Sequence, residues 1–475
     1  DMSYLGRQLN LPASTVELTA AKALTAGNAV LIASDGKATV PGASLGSETV
    51  VADVGSSLNT SVFDSGDNKV IVAYQDSGNS DYGTAAVGTV SGTGISFGTP
   101  VVFQSAATQS QIALTYDTSN SKVVVAYKHH DGSVAKASVG TVSGTAISFG
   151  TATNFESGGV ADAIAATFDS NSNKVVIAYR DNSNSNYGTA IVGTVSGTSI
   201  SFGSATVFES ATVTVVAATF DSSNNKVVIA YKDGGNSLYG TAIVGTVSST
   251  SISFGSAQVF NSASTNAIAA SFDTTNNKVL IGYADGSSSG QAIVGTVSST
   301  SISFGTEADF HDAQTGNTSI AFNPDQGTFQ ISYRDEITGK GEYVTGTISG
   351  TSVSFDTATE FNDSTTAPTI VYDTNSDVPV VFYRDSGNSS RPTARVIDLG
   401  TALTSENFIG FAEEDVTANG LAKIQLGGSV NDKQTSLTAG QTYFVQTNGT
   451  IGTTAASPSV TAGTAVSATA ILVKG

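Results

Sequence analysis

The chain has 475 residues, with 39 acidic against 20 basic side chains, a formal charge of −19, and no Cys. That charge repels a phosphate backbone and no basic run overturns it locally, which excludes nucleic acid as a partner; the missing Cys excludes disulfides, thiolate metal sites and thiol nucleophiles. Fifty Gly, abundant Ser, Thr, Asn and Val, and only 12% charged residues indicate short strands joined by tight turns, and no run of eighteen apolar residues exists to insert in a membrane.

The opening Asp1-Met2-Ser3-Tyr4-Leu5-Gly6-Arg7 lacks the apolar centre of a signal peptide. Residues 1–46 contain one legible unit of strand, turn and strand, Leu24-Thr25-Ala26-Gly27-Asn28-Ala29-Val30-Leu31 followed by Asp35-Gly36-Lys37. After it the chain becomes periodic. A hairpin pattern, aromatic, Asp, turn, Lys, apolar run, Tyr, spans Phe63 to Tyr74, Tyr116 to Tyr127, Phe168 to Tyr179, Phe220 to Tyr231 and Phe272 to Tyr283, then in altered form Phe322 to Tyr333 and Tyr372 to Tyr383. A second pattern, Gly-Thr-Val-Ser-Gly-Thr-x-Ile-Ser-Phe-Gly, follows at Gly88, Gly140, Gly193, Gly245 and Gly295, decays at Gly346 to Asp356, and is missing from the seventh copy. A lone aromatic recurs before each next hairpin at Phe103, Phe155, Phe208, Phe260, Phe310 and Phe361.

Each period of about fifty residues supplies four strands, for example Ile112 to Tyr116, Lys122 to Lys128, Ala135 to Val142 and Ala146 to Phe155. Four strands per repeat is the blade of a β-propeller. The run Val175-Val176-Ile177-Ala178-Tyr179 is apolar on both faces, as a sheet packed between two others requires. The sequence therefore predicts an all-β chain with a seven-bladed propeller over residues 47–400; six blades with one irregular unit is the alternative. Because the seventh copy lacks its Ile-Ser-Phe-Gly strand, Glu48-Thr49-Val50-Val51-Ala52 is expected to complete it, removing the free sheet edges.

Beyond the repeats, Leu437-Thr438-Ala439-Gly440-Gln441-Thr442-Tyr443-Phe444-Val445 with Asn448-Gly449-Thr450 matches the unit near Leu24. A closed ring brings its ends together, so residues 1–46 and 401–475 are expected to form one small β-sandwich or barrel-like module with the propeller inserted in it. The stretches Phe408-Ile409-Gly410-Phe411-Ala412, Gly420 to Gly428, Leu437 to Val445, and Ala462 to Thr469 with Ile471-Leu472-Val473 resemble, in that order, the terminal β module of bacteriophage tail-fibre and virion surface proteins. The resemblance covers about seventy C-terminal residues and implies attachment within a virion, commonly with oligomerisation; it carries no catalytic signature.

Candidate chemistry is sparse. His129 and His130 are adjacent, so their side chains point apart on an extended chain, and His311 stands alone. Asp two residues after the hairpin Tyr recurs as Asp76, Asp181, Asp233, Asp285, Asp335 and Asp385, with Asp131 displaced; the loops at Asp76, Asp181, Asp233 and Asp385 could offer oxygen ligands to Ca²⁺. The competing and favoured reading is that these side chains cap their own turns. A second set, Asp64, Asp117, Asp169, Asp221, Asp273 and Asp373, poses the same choice. Repetition in every blade argues against catalysis, which needs one asymmetric constellation. Arg180, Arg334, Arg384, Arg391 and Arg395 form no sialidase-type set, and no cofactor is required.

The leading expectation is thus a non-enzymatic phage virion structural protein, a tail fibre, appendage or capsid-surface component at the virion surface or otherwise extracellular. Its partners would be other virion proteins or itself as a homo-oligomer. The alternative is a carbohydrate- or receptor-binding propeller, a lectin or adhesin for a host-surface glycan, in which Tyr82, Tyr187 and Tyr239 at matching loop positions are the candidate sugar platforms.

Overall fold

In the computed structural model the described residues are 15–20, 24–33, 36–129, 134–158, 161–287, 289–401, 403, 404, 406–417, 420–446, 448–456 and 458–474. Asp1 to Arg7, Asp35, His130 and Asp131 lie outside them. Among the described residues, apart from one 3-10 turn at Ser77–Asn79, every regular element is a β-strand. The chain divides into two compact units, residues 46–397 and residues 1–45 with 398–475.

The larger unit is a ring of antiparallel sheets. In the third repeat, Ala161–Asp169 is the inner strand, Lys174–Asp181 the second and Tyr187–Ser196 the third. The outer strand comes in two pieces, Ser199–Phe202 and the beginning of Thr206–Asp221, both paired with the third strand. The same Thr206–Asp221 then pairs with Lys226–Asp233, so one strand leaves the outer edge of a blade and becomes the inner edge of the next. Seven inner strands touch in sequence, Ser56–Asp64, Val101–Asp117, Ala161–Asp169, Thr206–Asp221, Asn266–Asp273, Thr315–Asn323 and Thr365–Asp373, and the last touches the first. There Ser61 Oγ lies 3.2 Å from Thr369 Oγ1.

Ring closure follows the sequence expectation. Thr49–Val50 pairs antiparallel with Arg391–Asp398, Thr49 opposite Ala394 and Val50 opposite Thr393. The Gly46 N–H donates to the Val396 carbonyl at 2.9 Å and the Val51 N–H to that of Pro392 at 2.8 Å.

Consecutive blades meet through two contacts repeated around the ring. The first is aromatic: Phe155 leaves the second blade and packs against Tyr179 and Phe202 of the third, with ring centroids 5.4 and 5.9 Å away. Phe103, Phe208, Phe260 and Phe310 make the same two contacts one blade on. Each such pair contributes about 0.5–1.5 kcal/mol beyond the area it buries. The second contact is a backbone approach. A Cβ added to Gly98, Gly150, Gly203, Gly255 or Gly305 would overlap the carbonyl oxygen of Thr145, Thr198, Thr250, Thr300 or Thr351 in the turn of the following blade. Gly46 stands in the same relation to Thr93, so the N-terminal strand supplies the missing glycine as well as the missing strand. Asp356 replaces glycine only at the end of the sixth blade's strand, and the seventh blade has no Ser-Gly-Thr turn to press on it.

The smaller unit is a sandwich of two five-stranded sheets. One runs, in spatial order, Thr15–Thr19, Leu421–Leu426, Phe408–Ala412, Ala29–Ile32, Ala38–Thr39; the other Val430–Asn431, Ile471–Val473, Thr461–Ala465, Thr442–Val445, Ile451–Gly452. Ala29, Leu31 and Phe411 of the first sheet share one core with Tyr443, Val445, Ala462 and Ile471 of the second. The two sheets are copies of each other. Both have the same strand order, and a bulge falls at Val30/Leu31 in one and at Tyr443/Phe444 in the other. Gly27 donates to Ala412 O at 2.9 Å as Gly440 does to Ala465 O at 2.8 Å, and Ile32 to Asn407 O as Val445 does to Val460 O, both at 2.9 Å. Gly27 and Gly440 hold φ of 85° and 83°, Gly36 and Gly449 of 79° and 82°. Where the second copy joins its third and fourth strands through residues 453–460, the first copy holds residues 40–407, which include the whole ring.

Replacing Gly150 by Val should therefore lower the thermal midpoint clearly, by about 2 kcal/mol of stability, the usual cost of overpacking. Asp356→Ala, exposed and facing no such turn, should stay within about 0.5 kcal/mol; equal effects would disprove the blade-contact account of these glycines.

Candidate functional site at the closing blade

The repeated aspartates are engaged by their own turns. Asp169 Oδ1 accepts the N–H groups of Asn171 and Ser172, each at 2.9 Å, and Asp117, Asp221, Asp273 and Asp373 accept the two equivalent donors. In the sixth blade Asn323 does the same with Asp325 and Gln326, both at 3.0 Å. An amide replaces a carboxylate there, so the position requires an acceptor and not a charge. Of the Ca²⁺ candidates, Asp76 accepts from Gly78 N at 2.9 Å, Asp181 from Ser183 N at 3.0 Å, Asp233 from Gly235 N at 2.8 Å and Asp385 from Gly387 N at 3.0 Å. They lie in four different blades, and among the described residues no group of three or more His, Asp or Glu is placed to hold a metal ion.

Tyr82, Tyr187 and Tyr239 are not the exposed loop residues that the sequence suggested. Each is half-buried and opens a third strand, paired with Asp76, Asp181 and Asp233. The glycine that follows each one carries the ring of Phe103, Phe208 or Phe260, which explains the Tyr-Gly pair without a ligand. His129 is half-buried at the end of Lys122–His129. His311 Nδ1 lies 2.9 Å from Thr315 Oγ1, and the ring packs against Tyr333 with centroids 4.8 Å apart.

One feature of the blades had no sequence signal. The hairpin tyrosines Tyr74, Tyr127, Tyr179, Tyr231, Tyr283, Tyr333 and Tyr383 are fully buried, so each hydroxyl needs an acceptor. Three sequence positions supply one. Gln104, Glu156 and Glu209, just after the lone aromatic of the preceding blade, accept from Tyr127, Tyr179 and Tyr231 at 3.0, 3.4 and 3.1 Å. Glu307 and Glu48, three residues before the aromatic position of their own outer strand, accept from Tyr283 and Tyr383 at 3.1 and 3.0 Å. Glu342, on the third strand, accepts from Tyr333 at 2.8 Å. Tyr74 Oη is buried with no hydrogen-bond partner among the described residues. Burial raises the pKa of all seven phenols, and for Tyr179, Tyr231, Tyr283, Tyr333 and Tyr383 the adjacent carboxylate raises it further.

The asymmetric constellation lies at the closing blade. An open, polar cleft of about 620 Å³ is lined by Glu48 from the N-terminal strand, Asn362 and Asp363 from the end of the sixth blade, and Asp385, Asn388 and Arg395 from the seventh. Arg395 donates through Nε to Gly46 O at 2.9 Å and through Nη1 to Phe361 O at 2.5 Å, with Glu48 Oε1 3.7 Å away. Glu48 Oε1 also accepts from Asn362 Nδ2 at 3.1 Å. Burial, and then the neighbouring Glu48, push the Asp385 carboxyl above its ordinary value, against the N–H groups of Gly387 and Asn388 that favour its ionised form. By register, Arg395 occupies the place of Ile191, Ile243, Ile293 and Val344, all buried apolar residues in other blades. In the cleft, therefore, a repeated apolar position has become a fixed cation. Sequence reading noticed Arg395 but not its register. Aligning the third strands on the hairpin Tyr would have exposed the exchange.

No protein-family model and no curated protein matches the chain. Among solved structures it is similar to the BP39L lectin from Burkholderia pseudomallei, at 12% identity over 74% of this chain and 98% of that one, with a TM-score of 0.57. It is also similar to a chain of the mitotic checkpoint complex, at 10% identity over 75% of this chain and 95% of that one, with a TM-score of 0.51. The β-propeller domain of Cps50 (Swd1) from Myceliophteria thermophila aligns at 9% identity over 73% of this chain and 99% of that one, with a TM-score of 0.48.

The ring is a β-propeller. At these identities the likeness establishes the fold of the propeller and nothing finer, and nothing among the matches links the terminal unit to phage tail fibres.

Two measurements check these assignments. Asp169→Ala removes the acceptor of two turn N–H groups and should cost about 1 kcal/mol, whereas Asp169→Asn should cost less than half of that, because Asn323 already does the same work. An alkaline titration followed by phenolate absorbance should show the hairpin tyrosines still protonated above pH 10, where free tyrosine ionises. The unfolded chain then binds fewer protons than the folded one, so stability present below about pH 10 should fall as pH rises further. Phenolate appearing in full near pH 10 without unfolding would refute the burial.

Proposed function

We propose that the chain is a non-enzymatic structural protein of a bacteriophage virion, a tail-fibre, appendage or capsid-surface component, in which the terminal sandwich attaches and the propeller is displayed. The observation that carries this reading is connectivity: the propeller stands where the second copy of the sandwich has the short loop 453–460. A domain inserted in a loop leaves its host fold's own strands paired and is presented as a body of its own. The likeness of residues 408–473 to virion terminal modules supplies the attachment half of the reading. The partners are then other virion proteins or further copies of this chain, at the virion surface. In favour of a non-enzymatic reading, the aspartates that recur from blade to blade serve their own turns.

A second reading, binding of a host-surface glycan, is favoured by the polar cleft at the closing blade, and both can hold in one molecule. The first is tested on gradient-purified particles from the source of the sequence. Mass spectrometry should return peptides of this chain in constant ratio to the major capsid protein, and electron microscopy should resolve a ring-shaped density on the particle. Particles of full composition without the chain would end the virion assignment.

A further inference from the structure

We propose that the cleft of the closing blade binds a neutral polyhydroxylated ligand, a sugar residue held through its ring hydroxyls. This deepens the display reading by naming what the displayed propeller would hold.

Three observations carry it. The first is size: a cleft of about 620 Å³ falls within the range of small-molecule sites and admits a mono- or disaccharide. The second is the pairing of groups. Glu48, Asp363 and Asp385 offer carboxylate acceptors, while Arg395 and Asn388 bring donor-bearing groups to the same wall. Each sugar hydroxyl is both donor and acceptor, so a vicinal diol can give protons to a carboxylate and receive them from a guanidinium at one time. Arg395 is held by two backbone carbonyls with its side chain only 21% exposed, so little side-chain freedom remains to be lost on binding. The third is charge. Glu48, Glu360, Asp363 and Asp385 outnumber Arg395 among the lining residues, in a chain of net charge −19, which disfavours carboxylated, sulfated or phosphorylated sugars. Lys340 is already bound to Glu360 at 2.6 Å and does not reverse that balance.

The cleft exists because the ring is closed by a borrowed strand. The seventh blade lacks the Ile-Ser-Phe-Gly strand whose aromatic, in other blades, packs on the Phe arriving from the preceding blade; here the arriving Phe361 packs on Tyr383 and lines the cleft. Arg395 and Glu48 fill the space with hydrogen-bonding groups instead of a ring.

The test is saturation-transfer NMR on the full chain with galactose, glucose, mannose, fucose and N-acetylglucosamine, against N-acetylneuraminic acid and glucosamine as anionic and cationic controls. At least one neutral sugar should give transfer, and N-acetylneuraminic acid should give none. Arg395→Ile, which restores the residue that three other blades carry, and Asp363→Ala, at an exposed side chain, should each raise the dissociation constant tenfold or more while circular dichroism stays unchanged. The proposal is overturned if no neutral sugar binds, if only a charged control binds, or if affinity survives both substitutions. Should Arg395→Ile fail to fold, Asp363→Ala decides alone. Failure here would leave detection of the chain in particles untouched, and absence from particles would not remove sugar binding.

Discussion

Face-to-face contact between consecutive blades is the constraint on which the larger unit depends. A four-stranded sheet cannot bury both of its faces alone, and here five of the interfaces between consecutive blades carry a Phe-Tyr-Phe cluster and a glycine pressed on a threonine carbonyl. Because every blade has the same need, the same residues recur at the same spacing. The departures are equally physical. Glycine lapses at Asp356, where the next blade presents no turn, and reappears at Gly46, where the first blade does.

The buried tyrosine hydroxyls show a different kind of repetition, of geometry without sequence. One acceptor is needed at one point in space, and it arrives from the preceding blade, from the blade's own outer strand or from its third strand. An unmet buried hydroxyl costs about 1–3 kcal/mol, enough to fix an acceptor but not the route by which it arrives. The carboxylates so used are held against the phenols from which they accept.

Closure by the N-terminal strand makes one blade unlike the rest. The borrowed strand brings Glu48 and Gly46 but no aromatic, and Arg395 takes an apolar residue's place opposite it. Polar groups that other blades have no room for are gathered there into one cleft. The terminal sandwich has its own repetition, two sheets of one strand order, with the propeller looped out of the first copy.

Composition and period were enough to read an all-β chain of four-stranded repeats, the closing role of residues 48–52, and the likeness of the unit at Leu24 to that at Leu437, because strand alternation, turn residues and repeat length are local properties written into consecutive positions. The turn-capping role of Asp169 and its counterparts was legible for the same reason: donor and acceptor lie two or three residues apart. What only the tertiary structure decided was everything that depends on register between distant strands. The acceptors of Tyr283 and Tyr383, the half-buried setting of Tyr82, Tyr187 and Tyr239, and the full duplication of the sandwich belong to this class. So does the meeting of Glu48 with Arg395, residues at opposite ends of the propeller's chain. A side chain's neighbours across a sheet are set by which strands pair and which faces pack, and no spacing along the chain records that.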